Sequence, residues 1–157
     1  VRPTVLHGEF DLTIDIKHRL SIPSEVRRAL DVERDGEAFF VVVGPNRRVW
    51  LYPERTYENM VSQSTSELAP NEYLLLFDQL NFALASRIEW DKQGRILLPE
   101  KTLGRTGLRK EQEITMVGSR DHLELWDRAQ WTAHSDDLLA RRGEITMRAK
   151  QASPPAT

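Results

Sequence analysis

Short alternating apolar runs and longer helical stripes divide this chain into elements. Phe10 to Ile14 and Arg19 to Ile22 flank a polar Asp15 to His18, the pattern of strand, turn, strand. Arg19 therefore stands where a turn becomes a strand. After Pro23, residues Val26, Ala29 and Leu30 share one face at helical spacing, which predicts a helix of about two turns with Ser24 as its cap. Phe39 to Val43 reads as a buried strand, Gly44-Pro45-Asn46 as a turn and Val49 to Tyr52 as another strand. The same order recurs from Ile88 to Trp126. Tyr57, Met60 and Val61 fit one helix. Tyr73, Leu74, Phe77, Leu80 and Leu84 form a longer stripe that links the halves. Asp127 caps a last helix carrying Trp131, Leu138 and Leu139, with an interruption near Gly143.

The recurrence is a duplication. Asp15-Ile-Lys-His-Arg19 leads through Leu-Ser-Ile to Pro23, and Asp91-Lys-Gln-Gly-Arg95 leads through Ile-Leu-Leu to Pro99, an offset of 76 residues. Val43-Gly44 to Leu51-Tyr52 echoes Val117-Gly118 to Leu125-Trp126 at an offset of 74. Two echoes in the same order define an internal repeat. The expected organisation is a first repeat at 5–69, a linking helix at 70–84, a second repeat at 85–147 and a disordered tail at 148–157, where Ser-Pro-Pro has nothing to bury. Two β-rich units this small are expected to pack against each other to bury their sheet faces.

Composition narrows the chemistry. The 157 residues are 39% hydrophobic and 29% charged, as in a globular protein, and contain no cysteine. Disulfides, thiolate metal sites and cysteine nucleophiles are excluded. The opening Val-Arg-Pro-Thr has neither an initiating methionine nor the basic-then-apolar pattern of a signal peptide, and no apolar run approaches membrane-spanning length. A cytoplasmic protein, trimmed by a few N-terminal residues and free of membrane, is the expectation. The net charge of −2 is unevenly spread: residues 87–110 hold 7 basic and 3 acidic side chains, whereas 35–86 hold 3 and 7. A local basic strip can attract phosphate at short range even on an acidic body, although a single basic block is more often a solvated face.

The doubled D-x-x-x-R before an apolar stretch and proline, with an L-[YW]-x4-[YW] segment after each copy, resembles the MraZ family, bacterial DNA-binding regulators of the division and cell-wall gene cluster related to AbrB and SpoVT. The resemblance runs from about His7 to Trp131. It implies an α+β, β-rich fold: a pseudo-twofold, duplicated AbrB-like swapped hairpin or double-split barrel with flanking helices, one chain supplying both halves. It implies a non-enzymatic, sequence-specific regulator of repressor type, in the cytoplasm and at the nucleoid. The implied partners are double-stranded promoter DNA carrying short repeated boxes and further copies of the chain in a ring of eight or more. No cofactor and no small-molecule substrate are implied.

Arg19 and Arg95 would reach DNA from the turn-strand junctions, since a guanidinium suits both bidentate guanine contact and phosphate clamping. Lys17 and Lys92 would take phosphates, and Arg27, Arg28 and Lys101 could extend the strip. Asp15 and Asp91 would position the arginines by accepting turn N–H groups. The simpler role for each Asp-Arg pair is to staple its hairpin. The family usually has glycine before the arginine, as at Gly94, whereas the first copy has His18, which either accepts a positive φ or touches DNA itself.

Other chemistry is sparse. His7, His18, His122 and His134 lack metal-ligand spacing, and neither a G-x-S-x-G nor a glycine-rich phosphate loop occurs. Asp136-Asp137 beside His134 reads as solvated helix charge rather than acid-base machinery. Trp50, Trp90, Trp126 and Trp131 read as packing residues. Two rival readings remain: an AbrB or antitoxin-like repressor of another promoter without a ring, and a protein-interaction scaffold using the acidic middle of the chain.

Overall fold

The computed structural model describes residues 2–64, 68 and 71–152. The first copy comprises β1 (Glu9–Thr13), β2 (Arg19–Ser21), α1 (Ser24–Ala29), the single turn α2 (Val32–Asp35), β3 (Ala38–Val43), β4 (Val49–Pro53) and α3 (Glu54–Ser62). The linker α4 (Glu72–Asp78) continues as a π-helical turn over Gln79–Ala83. The second copy comprises β5 (Ser86–Glu89), β6 (Arg95–Leu97), α5 (Glu100–Thr106), β7 (Glu113–Gly118), β8 (Leu123–Asp127) and α6 (Arg128–Ala140), and α7 (Arg142–Ala152) follows.

Each copy completes the other. The six-stranded sheet has the order β1-β7-β8-β4-β3-β5, and β2 pairs with β6 in a separate ribbon. Exchanging each strand for its repeat equivalent reverses the six-stranded order onto itself, so the duplication in sequence becomes a pseudo-twofold in space. β1 lies antiparallel to β7 of the other copy, with Leu12 opposite Ile114, and β5 lies antiparallel to β3, with Ile88 opposite Phe39. The axis passes between β4 and β8, which pair directly with Leu51 opposite Leu123. The fold is α+β with antiparallel pairing throughout. Among the described residues the pairings make two separate sheets and no closed barrel.

Alternation puts one face of these strands inside. Along β4 the odd positions Val49 and Leu51 are buried and the even positions Trp50 and Tyr52 half-buried, as a period-2 element packed on one side requires. Ile14, Leu20, Phe39, Val49, Leu51, Ile96, Ile114, Met116 and Leu123 are fully inaccessible, forming one core fed by both copies.

Two local expectations change, and the linker lies on the surface. Pro23, not Ser24, is the N-cap of α1 and makes no side-chain cap bond; Ser24 Oγ instead accepts from Arg28 Nη2 at 3.2 Å. The linker stripe stays outside the core: Tyr73, Phe77 and Leu80 are 80%, 57% and 49% exposed. Helix α7 runs to Ala152, five residues into the segment expected to be a disordered tail, with Arg148 pairing to Glu144 at 3.4 Å. The rest of that tail, 153–157, lies outside the described residues.

Candidate nucleic-acid interface

The two D-x-x-x-R segments fold alike because one aspartate satisfies a whole turn. Asp15 Oδ1 accepts from the backbone N–H groups of Lys17 and Arg19, both at 2.8 Å, while Oδ2 accepts from Arg19 Nε at 2.8 Å. Asp91 repeats the set with Gln93 N and Arg95 N at 2.9 Å and Arg95 Nε at 3.0 Å. The backbone closes beneath, Asp15 N to Arg19 O at 2.9 Å and Asp91 N to Arg95 O at 2.8 Å. The Arg19 N–H above all, then the guanidinium and Lys17 N–H, hold the Asp15 carboxyl below its ordinary range against a smaller opposing effect of desolvation. Asp91 is lowered in the same way, chiefly by the Arg95 N–H.

His18 and Gly94 occupy equivalent places and the same backbone region, at φ 62° and 75°. Histidine therefore adopts the left-handed conformation that its repeat partner takes with glycine. Each of these residues also joins the copies: His18 O accepts from Leu98 N at 3.0 Å, and Gly94 O accepts from Ile22 N at 2.8 Å.

The ribbon then sets the spacing of the arginines. Arg19 is opposite Leu97, and Arg95 is opposite Ser21, which makes the two arginines diagonal neighbours about 7–8 Å apart on one face. Leu20 and Ile96 face the core with no exposed area, while the Arg19 and Arg95 side chains are 30% and 28% exposed. Each Nε is held by its aspartate. Among the described residues both Nη atoms of Arg19 and Nη1 of Arg95 have no protein hydrogen bond, Arg95 Nη2 being bonded to Gln93 Oε1.

The sequence did not point to two neighbours of the arginines. Ser21 and Leu97 share the arginine face, Leu97 being 59% exposed; the signal was the in-phase period-2 position after each arginine. Arg27 lies across the second turn, where a Cβ added to Gly94 would meet its Cδ and Nη1 at 2.8 Å. The repeat equivalent of Arg27 is Leu103, which is buried, so the copies differ here. Lys17, Lys92 and Lys101 are exposed, and they occupy non-equivalent positions in the repeat. The basic block at 87–110 does not form one strip: Arg87 pairs with Glu54 and Glu89, while Arg105 and Arg109 line two different cavities.

Among the described residues no three His, Asp or Glu side chains are grouped to hold a metal, and no helix is long and apolar enough to cross a membrane. His134 stacks on Trp126 at 4.6 Å between centroids, and Asp137 pairs with Arg141 at 3.1 Å. A polar cluster unseen in the sequence surrounds His122, which is 8% exposed and stacked on Trp50 at 4.0 Å. Its Nδ1 meets Asp121 at 2.8 Å and its Nε2 meets Glu124 at 2.9 Å.

Residues 5–78 and 82–151 each match the family model for MraZ protein. Proteins named transcriptional regulator MraZ are 30% identical over 85% of this chain and 88% of the relative in Acetivibrio thermocellus, and 34% identical over 84% and 86% in Neisseria meningitidis. The Thermomicrobium roseum protein of the same name is 32% identical over 90% of this chain and 94% of its own. A solution structure of PHS018 from Pyrococcus horikoshii covers 78% of this chain and 88% of that one at TM-score 0.33 and 14% identity, too distant to bear on the fold.

Proposed function

The chain belongs to the MraZ family of transcriptional regulators, and from that membership we propose that it binds double-stranded promoter DNA through the exposed face of the β2–β6 ribbon. Arg19 and Arg95 are the reading residues. Asp15 and Asp91 fix their guanidiniums, Leu97 offers an apolar contact of the kind that suits a thymine methyl, and Lys17, Lys92 and His18 take neighbouring phosphates or base edges. The protein assembles as a ring of eight or more copies on short repeated boxes upstream of the division and cell-wall gene cluster, where several weak contacts combine into avidity of ~10² to 10⁴. It acts there as a repressor at the nucleoid.

The observation that supports this most is the register of the ribbon, which puts two pre-positioned arginines diagonally on one face. Fluorescence-anisotropy titration against DNA from upstream of its own operon, beside a scrambled duplex and at two salt concentrations, tests it. Preference for the native duplex with affinity falling as salt rises is expected. Arg19→Ala and Arg95→Ala should each weaken that binding tenfold or more, on the order of 1.4 kcal/mol, with folding intact. Equal binding by the folded variants removes these residues from the interface, and no binding to either duplex favours a protein-interaction scaffold.

A further inference from the structure

A polar cavity of about 380 Å³ lies between the tip of the β3–β4 hairpin, the loop after α5 and the start of α6. Arg47, Arg48 and Arg109 line it, and none of its lining residues belongs to the β2–β6 ribbon. Among the described residues no carboxylate lies within 4.0 Å of any of these three guanidiniums. Arg48 instead lies over the Trp126 indole, 3.5 Å from the ring centroid. The one carboxylate in the lining, Asp127, is already engaged: Oδ1 accepts from Gln112 Nε2 and Oδ2 from Gln130 N, both at 3.2 Å.

The hairpin tip supplies a second, independent sign. Arg48 N donates to Pro45 O at 3.4 Å, and the two residues between, Asn46 and Arg47, have φ of 59° and 56°. Positive φ at both central positions is the type I′ pattern, which favours Asn followed by Gly. Here arginine holds the glycine place. Such strain persists only when the surrounding structure over-determines it, and the side chain held at this place is a cation that lines the same cavity as Arg109.

We propose that this cavity is a binding site for a small phosphate-bearing ligand, of pyrophosphate or nucleotide size. Arg48 turns its guanidinium away from the cavity onto Trp126, which is not part of the lining, and leaves Arg47 and Arg109 as the two lining cations without a carboxylate partner; two guanidinium forks suit the several oxygens and multiple charge of a phosphate group better than a single carboxylate. The volume falls within the range of small-molecule sites. The proposal stands apart from the DNA-binding reading, since neither uses the other's residues.

Isothermal titration of the full chain with sodium pyrophosphate, against a chloride solution of matched ionic strength, tests it. Wild type is expected to bind. Arg47→Gly removes the guanidinium and relaxes the turn together, so it should keep or raise the urea midpoint while weakening pyrophosphate at least tenfold. Arg109→Gln should weaken it comparably, and neither variant should change affinity for the upstream duplex. Wild-type protein that fails to bind millimolar pyrophosphate overturns the proposal, as does Arg47→Gly binding as well as wild type. If wild type ignores pyrophosphate and Arg47→Gly weakens the duplex, the phosphate belongs to the DNA backbone and the small-ligand site is refuted.

Discussion

Adding a methyl group at Gly94 brings together two costs that a second glycine lets one separate. Gly94 has φ of 75°, where an L-residue costs about 1–2 kcal/mol. Its new Cβ would also stand 2.8 Å from Arg27 Cδ and Nη1 and 2.9 Å from Cζ. Gly107, the left-handed cap of α5, has the same φ of 75° and nothing within 4 Å of an added Cβ. Gly107→Ala therefore carries the backbone cost alone, about 1 kcal/mol. Gly94→Ala should cost roughly 0.5–1.5 kcal/mol more, the penalty of forcing Arg27 off its rotamer. Urea titration reads both as a lower midpoint at constant slope. In an Arg27→Ala background the two alanine substitutions should become equal. An excess at Gly94 that survives without Arg27, or no excess in the first place, refutes the packing of Arg27 onto the second turn.

The remaining predictions use the same turns and the buried histidine. His18→Gly should leave the urea midpoint unchanged or raise it slightly, because relief of about 1–2 kcal/mol at φ 62° is partly offset by glycine's ordering cost of about 0.5–1 kcal/mol; a clear drop would show a stabilising His18 side-chain contact. Asp91→Asn leaves one carbonyl oxygen where two carboxylate oxygens serve three donors, and should lower the midpoint at pH 7. Because the folded carboxyl is held below its ordinary value, its stabilisation is present above that ordinary value and lost as pH falls through the lowered one, so the gap to wild type should begin to narrow as pH falls below about 4; a gap that does not narrow with acid contradicts this origin. For His122, burial disfavours the imidazolium, but the hydrogen bonds of Glu124 and Asp121 outweigh it and raise the pKa. That contribution is complete below the ordinary histidine value and fades as pH rises through the raised one. The melting temperature should therefore fall from pH 6 to pH 9, and His122→Gln should flatten the profile; an unflattened profile assigns the effect elsewhere.

The sequence by itself determined the duplication, the order of elements in each copy and the make-up of the two turns. These are local matters. Every bond that Asp15 and Asp91 make spans four residues or fewer, and strand or helix period is written into neighbouring positions. Even the left-handed His18 was legible, because its repeat partner is Gly94. The tertiary structure decided what those pieces face. Neither copy can bury its own sheet, so β1 crosses to β7 and β5 to β3, and only that exchange sets Arg19 diagonal to Arg95 and lays Arg27 over the turn of the other copy. It also scatters the basic block that looked continuous along the chain, tying Arg87 to Glu54. Arg47 and Arg109, by contrast, it brings to one cavity, while Arg48 rests on Trp126. The linker stripe shows the limit from the other side: its apolar spacing predicts a helix and α4 forms, yet Tyr73 and Phe77 remain exposed. Periodicity specifies which residues share a face, and the surface that meets that face is fixed by strand exchange between residues far apart in the chain.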